Sequence, residues 1–189
     1  MAEKTFENAV KVLAAMFAVL GTGACSLPLV SQAVEATTFH CVTTAQGWGT
    51  IARRGRKKSQ VPVINWNTVE FGPQYTPKKR CEIVSKRLTD VVAANGGGLG
   101  SLVLTTGKVS NGYHVVCYLT PGQSQCDLKN MLFTLKKDNA KNPSEVLTRL
   151  TNFTQGKGTD STVDETGGNP EIVPLETLVE RSGLKESVW

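Results

Sequence analysis

An α+β fold is the class this sequence predicts, and three observations carry the prediction. Leu102 to Lys108 and Tyr113 to Leu119 flank Asn111-Gly112, a pairing of β-rich runs around a tight-turn dipeptide that reads as a hairpin. Thr76-Pro77 followed by Cys81, Val84, Leu88 and Val91 reads as a capped helix with one buried stripe. Cys41, Cys81, Cys117 and Cys126 make an even cysteine set beyond residue 37, as expected of two structural disulfides in an exported domain. The expected architecture is a small antiparallel sheet with two helices packed on one face, stapled by two disulfides.

The elements follow in order. Thr37 to Val42 reads as a first strand, with Phe39 and Cys41 on one face. A loop around Gly47-Trp48-Gly49 leads to Thr50 to Arg54 and then to a basic run ending at Lys58. Val61 to Trp66 is the next strand, where Pro62 marks a start or an edge position. The main helix opens with Thr76 as N-cap and Pro77 at its first position, and it ends at Asn95-Gly96-Gly97-Gly98. In the second hairpin strand Val115, Cys117 and Leu119 share one face, and His114, Val116 and Tyr118 share the other. Met131 to Leu135 predicts another strand. Asn142-Pro143-Ser144-Glu145 opens a second helix whose buried stripe is Val146, Leu147 and Leu150. From Gly156 the composition turns to Gly, Thr, Asp and Glu, which is linker chemistry. Residues 158–189 are therefore expected to be an acidic, largely disordered tail, in which Pro174 to Arg181 forms either a short amphipathic docking helix or a frayed end.

Export is read from the first 36 residues. Lys4, Lys11 and the amino terminus supply positive charge, partly offset by Glu3 and Glu7, and Val10 to Leu20 is an apolar run of signal-peptide length. Pro28 breaks any helix, and Ser31-Gln32-Ala33 and Val34-Glu35-Ala36 are two small-x-small cleavage triplets. Cleavage after Ala36 is the first choice and after Ala33 the second. The alternative is an uncleaved anchor, since Val12 to Val30 is long enough to span if Gly21, Thr22, Gly23 and Ser26 are tolerated. The expected location is the periplasm, a thylakoid lumen or the cell envelope.

Charge is unevenly spread. Residues 37–157 hold 17 Lys+Arg against 6 Asp+Glu, a net of +11, whereas residues 158–189 hold 2 against 7, a net of −5. A basic body with an acidic end predicts an anionic partner, or the tail folding back on its own domain. Four cysteines permit three pairings, and spacing alone does not choose among them. Cys41–Cys81 with Cys117–Cys126 is favoured, because only the turn-rich Leu119-Thr120-Pro121-Gly122 segment and a few residues more separate the second pair.

Phe39-His40-Cys41, Pro62-Val63-Ile64-Asn65-Trp66, Tyr75-Thr76-Pro77 with Arg80-Cys81, and Val84-Ser85 with Arg87 come in an ordered series. The series continues with Leu104-Thr105-Thr106-Gly107, Asn111-Gly112, Val116-Cys117, Cys126, Leu132-Phe133-Thr134-Leu135 and Asn142-Pro143. Together these resemble the circadian oscillating protein (COP) domain family of cyanobacteria, across roughly residues 39 to 153 of this chain. The resemblance implies an exported cyanobacterial protein with a COP-like domain at 37–157, and it supplies no catalytic residues to carry over. Two features depart from the family pattern: the enriched Arg56-Lys57-Lys58 before the Pro-Val-Ile strand, and the acidic extension past the matching region.

The candidate site is a set of cations. Arg53, Arg54, Arg56, Lys57 and Lys58 fall within six positions, and Lys78, Lys79 and Arg80 open the main helix, where the dipole already favours anions. The expected ligand is an anionic membrane surface or an acidic protein partner. Export makes nucleic acid an unfavoured one, although it would satisfy the same charges. The bland reading is a solvated, solubilising loop. Trp66 reads as core and Trp48, between two glycines, as a possible stacking surface. His40 and His114 lie in strands without a spaced carboxylate or nucleophile, and Gly96-Gly97-Gly98 follows a helix instead of opening one, so neither signals catalysis or phosphate binding. No metal, cofactor or small-molecule substrate is expected. The leading expectation is a non-enzymatic envelope protein held peripherally at a membrane by its basic face. The alternatives are an interaction module regulated by its acidic tail and, least favoured, a hydrolytic or thiol enzyme using His114 or a free cysteine.

Overall fold

A computed structural model describes residues 35–154 and 172–185. The expected leader and the expected cleavage triplet ending at Ala33 lie outside the described residues, as do most of the acidic stretch after Gly156 and the last four residues.

The α+β class is as predicted, but the single sheet is two. In the first, β1 (Thr37–Thr44) pairs antiparallel with β2 (Gly47–Arg54) along its whole length. The other edge of β2 is shared between β3 (Lys57–Lys58) at one end and β4 (Ile64–Trp66) at the other. The predicted loop at Gly47-Trp48-Gly49 is thus strand, because Trp48 and Gly49 are laddered on both sides, to Thr43 and Val42 in β1 and to Trp66 and Asn65 in β4. The second sheet runs β7–β6–β5–β8 and is antiparallel throughout, with β5 at Val103–Lys108, β6 at His114–Leu119, β7 at Met131–Thr134 and β8 at Val173–Pro174. The β5–β6 connection is longer than a turn made by the Asn111-Gly112 dipeptide alone. Val109 N–H donates to Tyr113 O and Gly112 N–H to Val109 O, so Ser110, Asn111 and Gly112 form a three-residue loop with Gly112 at φ +86°.

Helix α1 (Pro77–Ala94) begins as its sequence dictates, with Thr76 Oγ1 accepting the Lys79 N–H at 3.2 Å and Pro77 at the first helical position. It lays Cys81, Val84, Ser85, Leu88, Val91 and Val92 against β1 and β2. Under it sits a closed polar knot: Trp66 Nε1 donates to Thr50 Oγ1 at 2.9 Å, and Thr50 Oγ1 is 3.0 Å from Ser85 Oγ. Helix α2 (Pro143–Thr154) packs on β5 and buries Val146 and Leu147.

A third helix, α3 (Leu175–Arg181), corrects the tail reading. Leu175, Leu178 and Val179 are fully buried in the main core, joined by Val173 and Leu184. Of the two readings of Pro174 to Arg181, the helix is the one observed, and the acidic, linker-like context hid that it is core. It is held instead by distant partners: Leu104 pairs with Val173, Leu102 O accepts the Leu175 N–H, and Ser182 O accepts the N–H groups of Gln60 and Val61. The segment therefore links the second sheet to the β3–β4 connection of the first. A second, smaller core of Val109, Val115, Cys117 and Leu119 lies on the other face of the β5–β6 sheet, and this divides the two faces of β6 as the alternation predicts.

Candidate anion-binding surface

Five of the eight predicted cations do gather on one β-hairpin. Arg53 and Arg54 end β2, Gly55 and Arg56 make the turn, and Lys57 and Lys58 are β3. The register sets Arg53 opposite Lys58 and Arg54 opposite Lys57. Like charges directly opposite each other oppose pairing, by roughly 0.2–1 kcal/mol for each pair. Part of this is offset from within the domain. Arg54 Nε donates to Thr37 Oγ1 at 3.0 Å, and the Glu35 carboxylate lies so close over Gly55 that any Cβ there would collide with it. The C-terminal end of α1 arrives at the same pole, since Thr37, opposite Arg54, donates its N–H to Gly97 O at 3.2 Å. That brings the negative end of the helix dipole beside the hairpin. Arg53, Arg56, Lys57 and Lys58 nonetheless present exposed side chains.

Lys78, Lys79 and Arg80 are not part of this surface. Contacts along α1 fix its direction: Lys78 Nζ stands 5.2 Å over the Trp48 ring, Cys81 is bonded to Cys41, Thr89 Oγ1 donates to Phe39 O, and the helix ends beside Thr37. The helix thus runs alongside β2 in the same direction, with its start at the Trp48 end and its finish at the Arg54 end. Its 18 residues span about 27 Å, so the two basic groups occupy opposite poles of the domain. Sequence adjacency to a helix start does not make Arg80 a ligand-binding group either. Its guanidinium sits 5.4 Å from the Trp66 ring centroid and 4.6 Å from that of Phe71, and it donates to the carbonyls of Thr68 and Tyr75. Burial lowers its pKa, with Glu70 working in the other direction. Arg80 is a fastener for the 67–76 loop. Lys78 and Lys79 stay exposed, Lys78 with a long 4.0 Å ion pair to Glu82 that contributes little.

The cysteines pair as favoured. Cys41–Cys81 joins β1 to α1 with Cα atoms 5.4 Å apart, and Cys117–Cys126 joins β6 to the loop that follows it at 5.7 Å. Gly107 lies directly beneath the second bridge, where an added Cβ would come within 2.8 Å of Cys126 Sγ. Trp66 is core, stacked edge-on against Phe133, while Trp48 is half-buried beneath Lys78. A surface cleft of about 450 Å³ between α1 and the β6–β7 edge is lined by Arg87, Tyr118, Thr120, Gln123 and Lys129 among others. Its arginine is committed, donating to the carbonyls of Met131 and Leu132.

One residue of the basic pole escaped the sequence reading. His40 shares the solvent face of β1 and β2 with Arg53, and Thr38 Oγ1 stands 3.0 Å from its Nε2. Its signal was the strand alternation, which is uninformative until the Thr38–Arg53 register is known.

These features define a disulfide-stapled α+β domain with a cationic hairpin at one pole, and its two bridges fit an oxidising, extracytoplasmic compartment. Among the described residues no helix is long and apolar enough to cross a membrane. The chain belongs to the circadian oscillating protein COP23 family, whose model matches residues 38–180. That match runs past residue 153 to take in β8 and nearly all of α3, in keeping with their place in the core. No curated protein and no solved structure matches the chain.

Proposed function

We propose that this is an exported, non-enzymatic envelope protein that associates peripherally with an anionic membrane surface through the Arg53–Lys58 hairpin. The observation that carries this reading is the like-charge cross-strand pairing of Arg53 with Lys58, both exposed, in the β2–β3 hairpin beside exposed Arg56. An arrangement that opposes its own pairing is relieved when a layer of negative charge lies against it. The pole also lies where the chain enters the domain, because Thr37 is both the first residue of β1 and the partner of Arg54.

The test is co-sedimentation with vesicles containing phosphatidylglycerol, at rising salt. Binding that is lost on reversing Arg56, Lys57 and Lys58 to Glu, and that falls as salt screens the pole, is the expected result. Retention through molar salt with release only by detergent would overturn the peripheral reading in favour of the anchor.

A second reading, an interaction module regulated by acidic residues at its C-terminal end, is favoured by one contact. Ser182 O accepts the N–H of Gln60, two residues beyond Lys58, so the C-terminal segment reaches the hairpin's exit. Truncating residues 158–189 would not test it, since that also removes Leu175, Leu178 and Val179 from the core. Neutralising Asp160, Asp164 and Glu165 to their amides leaves those side chains in place. Unchanged vesicle binding by that variant would count against regulation.

A further inference from the structure

The hairpin has two faces with different surroundings. Alternation along β1 and β2 turns Phe39, Cys41, Ala52 and Arg54 toward α1, and turns Thr38, His40 and Arg53 outward. Lys58 joins the outward set through its register with Arg53. His40 faces Ile51, which places Arg53 on the adjacent diagonal of the same face, within reach of its long side chain. Three potential cations thus share one face, around Ile51, and the neutral Thr38 hydroxyl stands 3.0 Å from the imidazole.

We propose that His40, Arg53 and Lys58 form one binding cluster for the phosphate of an anionic lipid headgroup, and that His40 makes this capture stronger as the pH falls. The inference rests on the membrane reading given above and adds to it a named subsite and a control. Partial burial, and then the charge of Arg53, hold the His40 pKa below its ordinary value in the free domain, so the imidazole is neutral near neutral pH. A phosphate seated between Arg53 and Lys58 offsets the charge of Arg53 that His40 feels and accepts a hydrogen bond from the ring, so it favours the imidazolium. Binding then takes up a proton, and by linkage affinity rises as the pH falls, by at most about tenfold per pH unit for one group.

The remaining charges around His40 do not oppose this. The cleft on whose rim it stands, between β1 and α1, also carries Glu82, Lys86 and Asp90. Lys86 Nζ lies 2.6 Å from Asp90 Oδ2, Glu82 has only a long 4.0 Å pair with Lys78, and Glu35 lies over Gly55 at the hairpin turn; each of these carboxylates would favour the imidazolium, not oppose it.

The experiment is binding of the protein, purified after export, to vesicles of phosphatidylglycerol in phosphatidylcholine at about pH 7.5 and about pH 5.5. Wild type should bind several-fold more tightly at the lower pH. His40→Gln should match wild type at the higher pH and lack the rise, while Lys58→Glu should weaken binding at both. A rise of the same size in His40→Gln, or a wild type that binds equally at both, overturns the inference and leaves the membrane reading standing. Absence of binding at either pH overturns both. Inorganic phosphate should compete only at high millimolar concentration. Displacement by micromolar phosphate would assign the cluster to the free anion and overturn the headgroup proposal. His40 is exposed, so its variant is expected to fold, and a thermal melt equal to wild type checks this.

Discussion

Leu178→Ala is the sharpest test of the architecture, because it asks whether the C-terminal segment is tail or core. Leu178 is fully buried within α3, a helix of only 7 residues that could not persist in isolation. Truncation removes about three methylene-sized groups, worth about 2.4 kcal/mol at about 0.8 kcal/mol each, before any cavity is counted. The partly relaxed cavity adds to this, so the total falls in the range of about 3–4 kcal/mol. For a domain of this size that corresponds to a melting point lower by roughly 6–15 °C. The assay is urea unfolding of the oxidised protein, followed by fluorescence of the buried Trp66, with Glu180→Ala as the exposed control on the same helix. Glu180→Ala should lie within about 0.5 kcal/mol of wild type. Equal stability of the two variants, with unchanged m-values, would refute the placement of α3 in the core.

Further expectations follow from the same geometry. Arg80→Lys should free the 67–76 loop, because an ammonium cannot reproduce two carbonyl contacts and two ring contacts at once; faster amide exchange at Val69 to Tyr75, with vesicle binding intact, is the expected signature. Gly107→Ala should cost about 1–3 kcal/mol and make Cys117–Cys126 easier to reduce, as read by thiol trapping, since the new methyl meets Cys126 Sγ. Replacing Cys117 and Cys126 together by Ala should cost about 2–3 kcal/mol, the loop-closure value for a bridge spanning 9 residues, seen as a lower urea midpoint. Asp127 accepts the N–H groups of Asn130 and Lys129 at 2.9 and 2.7 Å, which lowers its pKa. Its ionised form therefore stabilises the loop above the ordinary carboxylate range, and this contribution is lost as the pH falls through the lower folded value. Asp127→Asn should flatten that part of the acid limb in a stability–pH profile.

Much of the fold was legible because its signals are local. The Thr76-Pro77 start, the Cys81-Val84-Leu88-Val91 stripe and the glycine stop describe α1 without any knowledge of its partners. The β5–β6 hairpin and the Pro143 start of α2 are equally self-contained. What escaped depends on pairing across distance. Gly47-Trp48-Gly49 has loop composition, and two neighbouring strands make it a ladder. Val173 to Leu184 sits in an acidic context and becomes core only when Leu102 and Leu104 stand beside it. The cation set shows the same division. Arg53 to Lys58 was recognisable as a cluster because a hairpin keeps sequence neighbours together, whereas Lys78 to Arg80 was joined to it in error, since no one-dimensional pattern reports that a helix intervenes.

The burial of β8 and α3 in the core has a consequence for the order of assembly. A chain delivered amino terminus first has β1, β2 and α1 in hand, with Cys41 and Cys81 available to each other, long before Val173 emerges to pair with Leu104. Until then the second sheet lacks its last strand, and the space filled by Leu175, Leu178 and Val179 stands open to solvent. Completion of the core thus waits for β8 and α3, a long-range closure that is slow by nature.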